Sequence, residues 1–188
     1  MSVRDASEPM SADHVQTRRA TETDLPQLGA LMQRAITVLQ RGFLDSRRIE
    51  ASRAIMGLDT QLIRDRTYFV AERAGLIVGC GGWSRRATLF GGDHYAGRSA
   101  ALLDPATDAA RIRAMYTDPD HARRGIGRLI LAACEADAGR AGFTRAELAG
   151  TLAGEPLYRA CGYAVLERFT AGEEVPLLRM GKRLDVSS

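Results

Sequence analysis

Asp118-Pro119-Asp120-His121-Ala122-Arg123-Arg124-Gly125-Ile126-Gly127-Arg128 is the stretch whose reading decides the fold. Just upstream, residues 112–117 read Ile-Arg-Ala-Met-Tyr-Thr, an alternating run that suits a strand. Just downstream, apolar residues recur at Ile126, Leu129, Ile130 and Ala133, which is helical spacing. The chain therefore runs from a strand, through a turn, into a helix that opens inside a glycine-rich basic loop. The first turn of any helix leaves its N–H groups without intrahelical partners. An anion placed there gains about 0.3–1 kcal/mol from the helix dipole, and more when partly buried. Gly125 and Gly127 lack the Cβ atoms that would crowd those amides, and Arg123, Arg124 and Arg128 add positive charge. A phosphate is the natural ligand of such a loop.

Two common nucleotide loops do not fit. The dinucleotide fingerprint needs a third glycine where Ile130 stands, and the P-loop needs Gly-Lys-Ser/Thr. The pattern resembles instead the pyrophosphate loop of the GCN5-related N-acetyltransferases (GNAT). There, a strand ending in an apolar-x-Val-like triplet is followed by Asp/Ser-Pro and then Gln/Arg-x-x-Gly-x-Gly/Ala. Met115-Tyr116-Thr117, Asp118-Pro119 and Ala122-Arg123-Arg124-Gly125-Ile126-Gly127 follow that order, with Ala122 departing from the usual Gln/Arg. A second signature of the same family is a short helix carrying Phe/Leu-Tyr and ending in Gly-Phe/Tyr. Leu157-Tyr158 and Gly162-Tyr163 match it, while residues 151–154 lack the Asn that many members place upstream. The resemblance extends over residues 16–183.

The resemblance implies acetyl-CoA as co-substrate, with no metal, and direct transfer of the acetyl group to a small-molecule or protein amine. Pyrophosphate would rest on the amides of Arg123, Arg124, Gly125, Ile126, Gly127 and Arg128. The pantetheine arm would run along Met115, Tyr116 and Thr117 like an added strand. Tyr158 matches the family's common general acid. A coenzyme A thiolate near pKa 8.5 accepts a proton from a phenol near pKa 10 at a cost of about 2 kcal/mol. Neutralising an alkyl ammonium of pKa 10.4 at pH 7 costs about 4.6 kcal/mol, so the base matters more than the acid. Some relatives carry a Glu on the central strand, where this chain reads Arg111-Ile112-Arg113. Glu72, His94, Asp118 and Glu155 are the remaining candidates for that role.

The rest of the chain supports one mixed α/β sheet flanked by helices. A strand is expected over residues 14–20. A helix follows, with Thr23 as cap, Pro26 in its first turn, and an apolar face at Leu25, Leu28, Leu31, Met32, Ala35, Ile36 and Leu39. Shorter helices are expected over 46–56 and 58–63, with Phe43 and Leu44 as candidates for the acceptor wall. Residues 67–73 and 76–84 read as a hairpin, in which Gly79, Gly81 and Gly82 mark a bulge or a close backbone approach. Trp83 suits either the cleft or the core. Residues 85–110 read as an irregular segment containing His94. Strands are expected over 143–148, 163–169 and 175–183.

The 188 residues suit a single domain over 14–188 behind a tail at 1–13. No apolar run reaches the roughly 20 residues of a membrane span, and no secretory leader is legible. Cys80, Cys134 and Cys161 lack metal-ligand spacing and suit reduced thiols in a cytoplasmic protein. A net charge of +3 with scattered arginines argues against nucleic-acid binding. The resemblance also admits a homodimer. Two other readings remain at this stage: a coenzyme A-binding sensor without catalysis, and a basic interaction module.

Overall fold

The computed structural model describes residues 14–172 and 174–185, so the expected tail at 1–13 and the last three residues of the C-terminus lie outside the described residues. In chain order the elements are β1 (Gln16–Arg19), α1 (Leu25–Leu39), α2 (Ser46–Arg53), α3 (Thr60–Arg64), β2 (Tyr68–Arg73), β3 (Leu76–Ser84), β4 (Ala110–Thr117), α4 (Ile126–Arg140), β5 (Arg145–Thr151), α5 (Glu155–Ala160), β6 (Ala164–Ala171) and β7 (Val175–Arg183). The strands form one sheet in the order β1-β2-β3-β4-β5-β7-β6. All neighbours are antiparallel except β4 and β5. That single parallel pair follows from α4, whose crossover returns the chain in the direction it left.

Helix α1 starts where expected, but Thr21 and Asp24 arrange its entry rather than Thr23. The Thr21 N–H donates to the Asp24 carboxylate at 2.8 Å, and Pro26 occupies the first turn. Arg18 clamps the same carboxylate at 2.8 and 2.9 Å and lowers its pKa to about 2. Leu28, Leu31, Met32, Ala35 and Ile36 are buried, as their spacing requires. Asp45 caps α2 by accepting from the Arg48 N–H at 2.9 Å. Helix α2 ends at Arg53, three residues short of the expected end.

Helix α4 lies on the opposite face of the sheet. Ile126, Ile130, Leu131 and Cys134 are buried there with Phe69, Val78, Ile112 and Leu148. Each large apolar side chain so buried contributes about 1.5–3 kcal/mol. The glycines of β3 permit this closeness: a Cβ on Gly79 would stand 2.5 Å from Ile126, and one on Gly81 would stand 2.8 Å from Ile130. The expected bulge is also present, with the extra residue on β4. Arg113 pairs with Gly82 and Tyr116 with Cys80, so Ala114 and Met115 together oppose Gly81. Ala114 takes a left-handed φ of 50°, and its carbonyl accepts from the Tyr68 hydroxyl at 3.0 Å.

Trp83 belongs to the core. It is buried, donates from Nε1 to Asp137 at 2.8 Å, and meets the Phe143 ring edge-on at 5.8 Å. On the opposite face, a Cβ added to Gly82 would lie 2.7 Å from the Tyr68 ring and 2.8 Å from the Thr67 carbonyl, neither of which yields easily. Gly82→Ala is therefore expected to lower stability by about 2 kcal/mol. The check is a reduced urea midpoint with an unchanged m value.

Candidate active site

Strands β4 and β5 pair over three positions only: Ala110 with Ala146, Arg111 with Glu147 and Ile112 with Leu148. Beyond them β4 continues to Thr117 and β5 to Thr151, with no register between the two. The bulge at Ala114 bends β4, while β5 stays paired with β7 along its whole length, from Arg145 with Arg183 to Thr151 with Leu177. The two strands diverge and open a cleft of about 650 Å³. Met115, Tyr116 and Thr117 line one side of it, and Leu148, Ala149 and Thr151 the other.

The basic loop stands at one end of this cleft. Arg123 and Gly125 have φ values of 65° and 83°, so two left-handed residues turn the chain sharply into α4. Gly125 takes that conformation without the strain a side chain would bring. Gly127 answers a different need from the one read in the sequence: a Cβ there would meet the Leu157 side chain at 2.8 Å, so its absence lets α5 close on α4. No protein acceptor among the described residues takes the N–H groups of residues 123–128. Arg123, Gly125, Ile126, Gly127 and Arg128 line the cleft, while Arg124 is exposed beside it.

An ion-pair network sets the loop's position. The Asp118 N–H donates to the Val78 carbonyl at 2.9 Å, and its carboxylate accepts from the Asp120 N–H at 2.9 Å. Arg34 of α1 reaches across to donate to Asp118 at 2.8 Å and to Asp120 at 2.7 Å. His121 stands 3.3 Å from the same Asp118 carboxylate. Asp118 thus shapes the turn and does not line the cleft.

Tyr158 lines the cleft opposite β4 and is 7% exposed. Its ring sits where Gly150 and Gly154 leave room, since a Cβ at either would approach it to 3.1 or 2.9 Å. Tyr163 meets the ring edge-on at 6.0 Å. Among the described residues the hydroxyl has no protein partner, and burial raises its pKa well above the ordinary phenol. Tyr116 is a second phenol on the cleft wall. Its oxygen accepts from the Gly57 N–H at 3.2 Å, and burial raises its pKa as well.

The other end of the cleft is apolar. Ile36, Leu39 and Phe43 from α1 and the turn after it, Met56 beyond α2, Phe90 from the long loop, and Leu177 of β7 form its walls. Phe43 is 50% exposed at the mouth, whereas Leu44 turns into the core. The segment between β3 and β4 is more ordered than its composition suggests. Arg86 makes two hydrogen bonds to Asp65 at 2.7 and 2.9 Å, and Leu102 bridges back to Arg86. Asp59, 1% exposed, accepts from Arg98 at 2.9 Å and pairs with Arg113 at 2.8 Å. Arg113 and Arg98 also donate to the Gly91 carbonyl, Arg98 at 3.0 Å. Burial lowers the pKa of Arg113, against the pull of Asp59.

None of the candidate bases lines the cleft. His94 is exposed and meets the Arg53 carbonyl at 3.1 Å through Nε2. Glu72 pairs with Arg18 at 2.9 Å, and Glu155 with Arg159 at 2.8 Å. Among the described residues no aspartate, glutamate or histidine lines the cleft. Gln40, Arg113, Phe90 and Leu177 were not read as site residues, because the chain positions that bring them together lie far apart and share no local motif. Among the described residues no helix is long and apolar enough to cross a membrane, and no group of three or more His, Cys, Asp or Glu could hold a metal ion.

A family model described as the acetyltransferase (GNAT) domain matches residues 64–165, more than half of the chain. The chain belongs to the GNAT acetyltransferase family. Solved structures share its fold. A GCN5-related N-acetyltransferase from Rhodopseudomonas palustris superimposes with a TM-score of 0.67 at 20% identity, over 94% of this GNAT chain and 100% of that one. The PaiA N-acetyltransferase from Thermoplasma acidophilum, in complex with coenzyme A, gives 0.62 at 14% identity, over 90% and 99%. The ribosomal-protein-S18-alanine N-acetyltransferase from Escherichia coli gives 0.57 at 16%, over 93% and 97%. No curated protein matches the chain significantly. Within this GNAT domain the loop conformation depends most on Gly125. Gly125→Ala places a Cβ at φ 83°, a strain of about 1–2 kcal/mol. The expected result is an unfolding midpoint lowered by about 2–8 °C, read by calorimetry.

Proposed function

We propose that this GNAT protein is an acetyl-CoA-dependent N-acetyltransferase that passes an acetyl group directly to a primary amine of a small molecule or of an exposed protein segment. One observation supports this best: the β4–β5 gap runs from the unpartnered amides at the start of α4 to the side chain of Tyr158. In this reading the pyrophosphate rests on the amides of residues 123–128 beside Arg123, Arg124 and Arg128. The pantetheine arm fills the gap beside Met115, Tyr116 and Thr117, completing main-chain pairing that β5 does not supply. The coenzyme A bound by the Thermoplasma protein of the same fold is consistent with a coenzyme A-type ligand. The cytoplasm, where acetyl-CoA is available and thiols stay reduced, suits the reading.

The neutral amine attacks the thioester carbon. A β4 amide steadies the charge that develops on the carbonyl oxygen, and Tyr158 protonates the departing sulfur. Burial raises the phenol, but it raises a thiolate in the same pocket too, so the two acidities stay comparable. A coenzyme A-binding domain without turnover is the second reading. The absence of any carboxylate or histidine on the cleft lining, among the described residues, favours it.

Thiol release from acetyl-CoA across an amine panel separates the two. Tyr158→Phe is expected to lower kcat by about 10²–10³ while leaving the KM for acetyl-CoA within about threefold. Tight coenzyme A binding with no turnover on any amine would establish the second reading. Because burial moves Tyr158 upward, its deprotonation is expected to leave kcat undiminished up to at least about pH 10.

A further inference from the structure

The acceptor end of the cleft carries information about basicity. Its ionisable lining residues are Arg113, Tyr116 and Tyr158, with Arg123 and Arg128 farther along at the loop. Carboxylates near by are already engaged: Asp59 by Arg98 and Arg113, Glu147 by Arg111 and Arg179, and Asp118 by Arg34. An ammonium entering here would leave water for apolar walls, meet no carboxylate on the cleft lining among the described residues, and face the Arg113 side of β4. Such a transfer is strongly opposed. The same walls favour an apolar body.

Resting on the transferase reading, we propose that the acceptor is an apolar amine of low basicity, an arylamine in chemical type, which enters the cleft already neutral. The proton balance then closes on Tyr158 alone, without a separate carboxylate or histidine base. The amine nitrogen forms the C–N bond, the C–S bond breaks, and the sulfur takes the Tyr158 proton. The proton lost by nitrogen restores the phenol, giving amide and free thiol with nothing released to solvent. A protonated amine would first have to give up a further proton, and no lining carboxylate or histidine among the described residues receives it.

The test uses two isomers of equal size, 4-ethylaniline and 2-phenylethylamine, with spermidine as the basic extreme. At pH 7 the expected kcat/KM is at least about tenfold higher for 4-ethylaniline than for 2-phenylethylamine, because an alkyl amine of pKa near 10.4 is almost wholly protonated there. Between pH 6 and 8 the profile is expected to be flat for 4-ethylaniline. For 2-phenylethylamine it is expected to rise about one log unit per pH unit, following the acceptor's own ionisation. Phe43→Glu places a carboxylate at the half-exposed mouth, where it need not be buried. It is expected to raise the ratio of 2-phenylethylamine to 4-ethylaniline kcat/KM about threefold to tenfold. Preference for 2-phenylethylamine or spermidine at pH 7 would overturn the proposal, as would one inflection shared by both isomers, since that would reveal an enzyme base. Either result leaves acetyl transfer itself standing. Acetyl-CoA binding with no turnover of any amine would remove the transferase reading, and this proposal with it.

Discussion

The parting of β4 from β5 is the constraint on which the rest of the site depends. A parallel pair normally continues until one strand ends. Here pairing stops at Ile112 and Leu148 although both strands run on. Two forces hold them apart. The bulge at Ala114 bends β4, and its carbonyl is tied to Tyr68 of β2. The antiparallel ladder with β7 keeps β5 on its own course. Main-chain polar groups facing such a gap need partners, and an extended ligand rich in amides can supply them as water does.

The two ends of the gap differ in chemistry because different elements close them. One end meets the start of α4, where helix geometry leaves N–H groups free and arginines gather. The other is walled by α1, the turn beyond α2 and the long loop, which bring mainly apolar side chains. Arg34 joins the ends mechanically: it projects from α1, which supplies part of the apolar wall, and grips the Asp118 and Asp120 carboxylates of the basic loop. The Asp59 cluster does similar work for the long loop, holding Gly91 and Arg98 against β4.

Much of this architecture was legible before any coordinates. The strand, loop and helix around Asp118 to Arg128, the hairpin at 68–84 and the buried face of α1 all follow from short-range pattern. Gly79, Gly81 and Gly82 announced close contact but not with what. The answers, α4 on one face and Tyr68 on the other, are long-range. Thr23 as cap was misread, and the ties that hold the irregular 85–110 segment were not legible, since Asp24 and the Arg86–Asp65 and Arg98–Asp59 pairs depend on partners distant in the chain or on the exact end of a helix.

What the sequence determined by itself is therefore local: element types and the anion-friendly loop. These depend on backbone propensity and spacing, which act over a few residues. Only the tertiary structure decided that Gly127 serves α5 and that His94, Glu72, Asp118 and Glu155 stand off the cleft. The tertiary structure likewise decided that the end of the cleft away from the basic loop is apolar beside a buried arginine. Those outcomes turn on which side chains meet across the sheet, and no single stretch of chain carries that information.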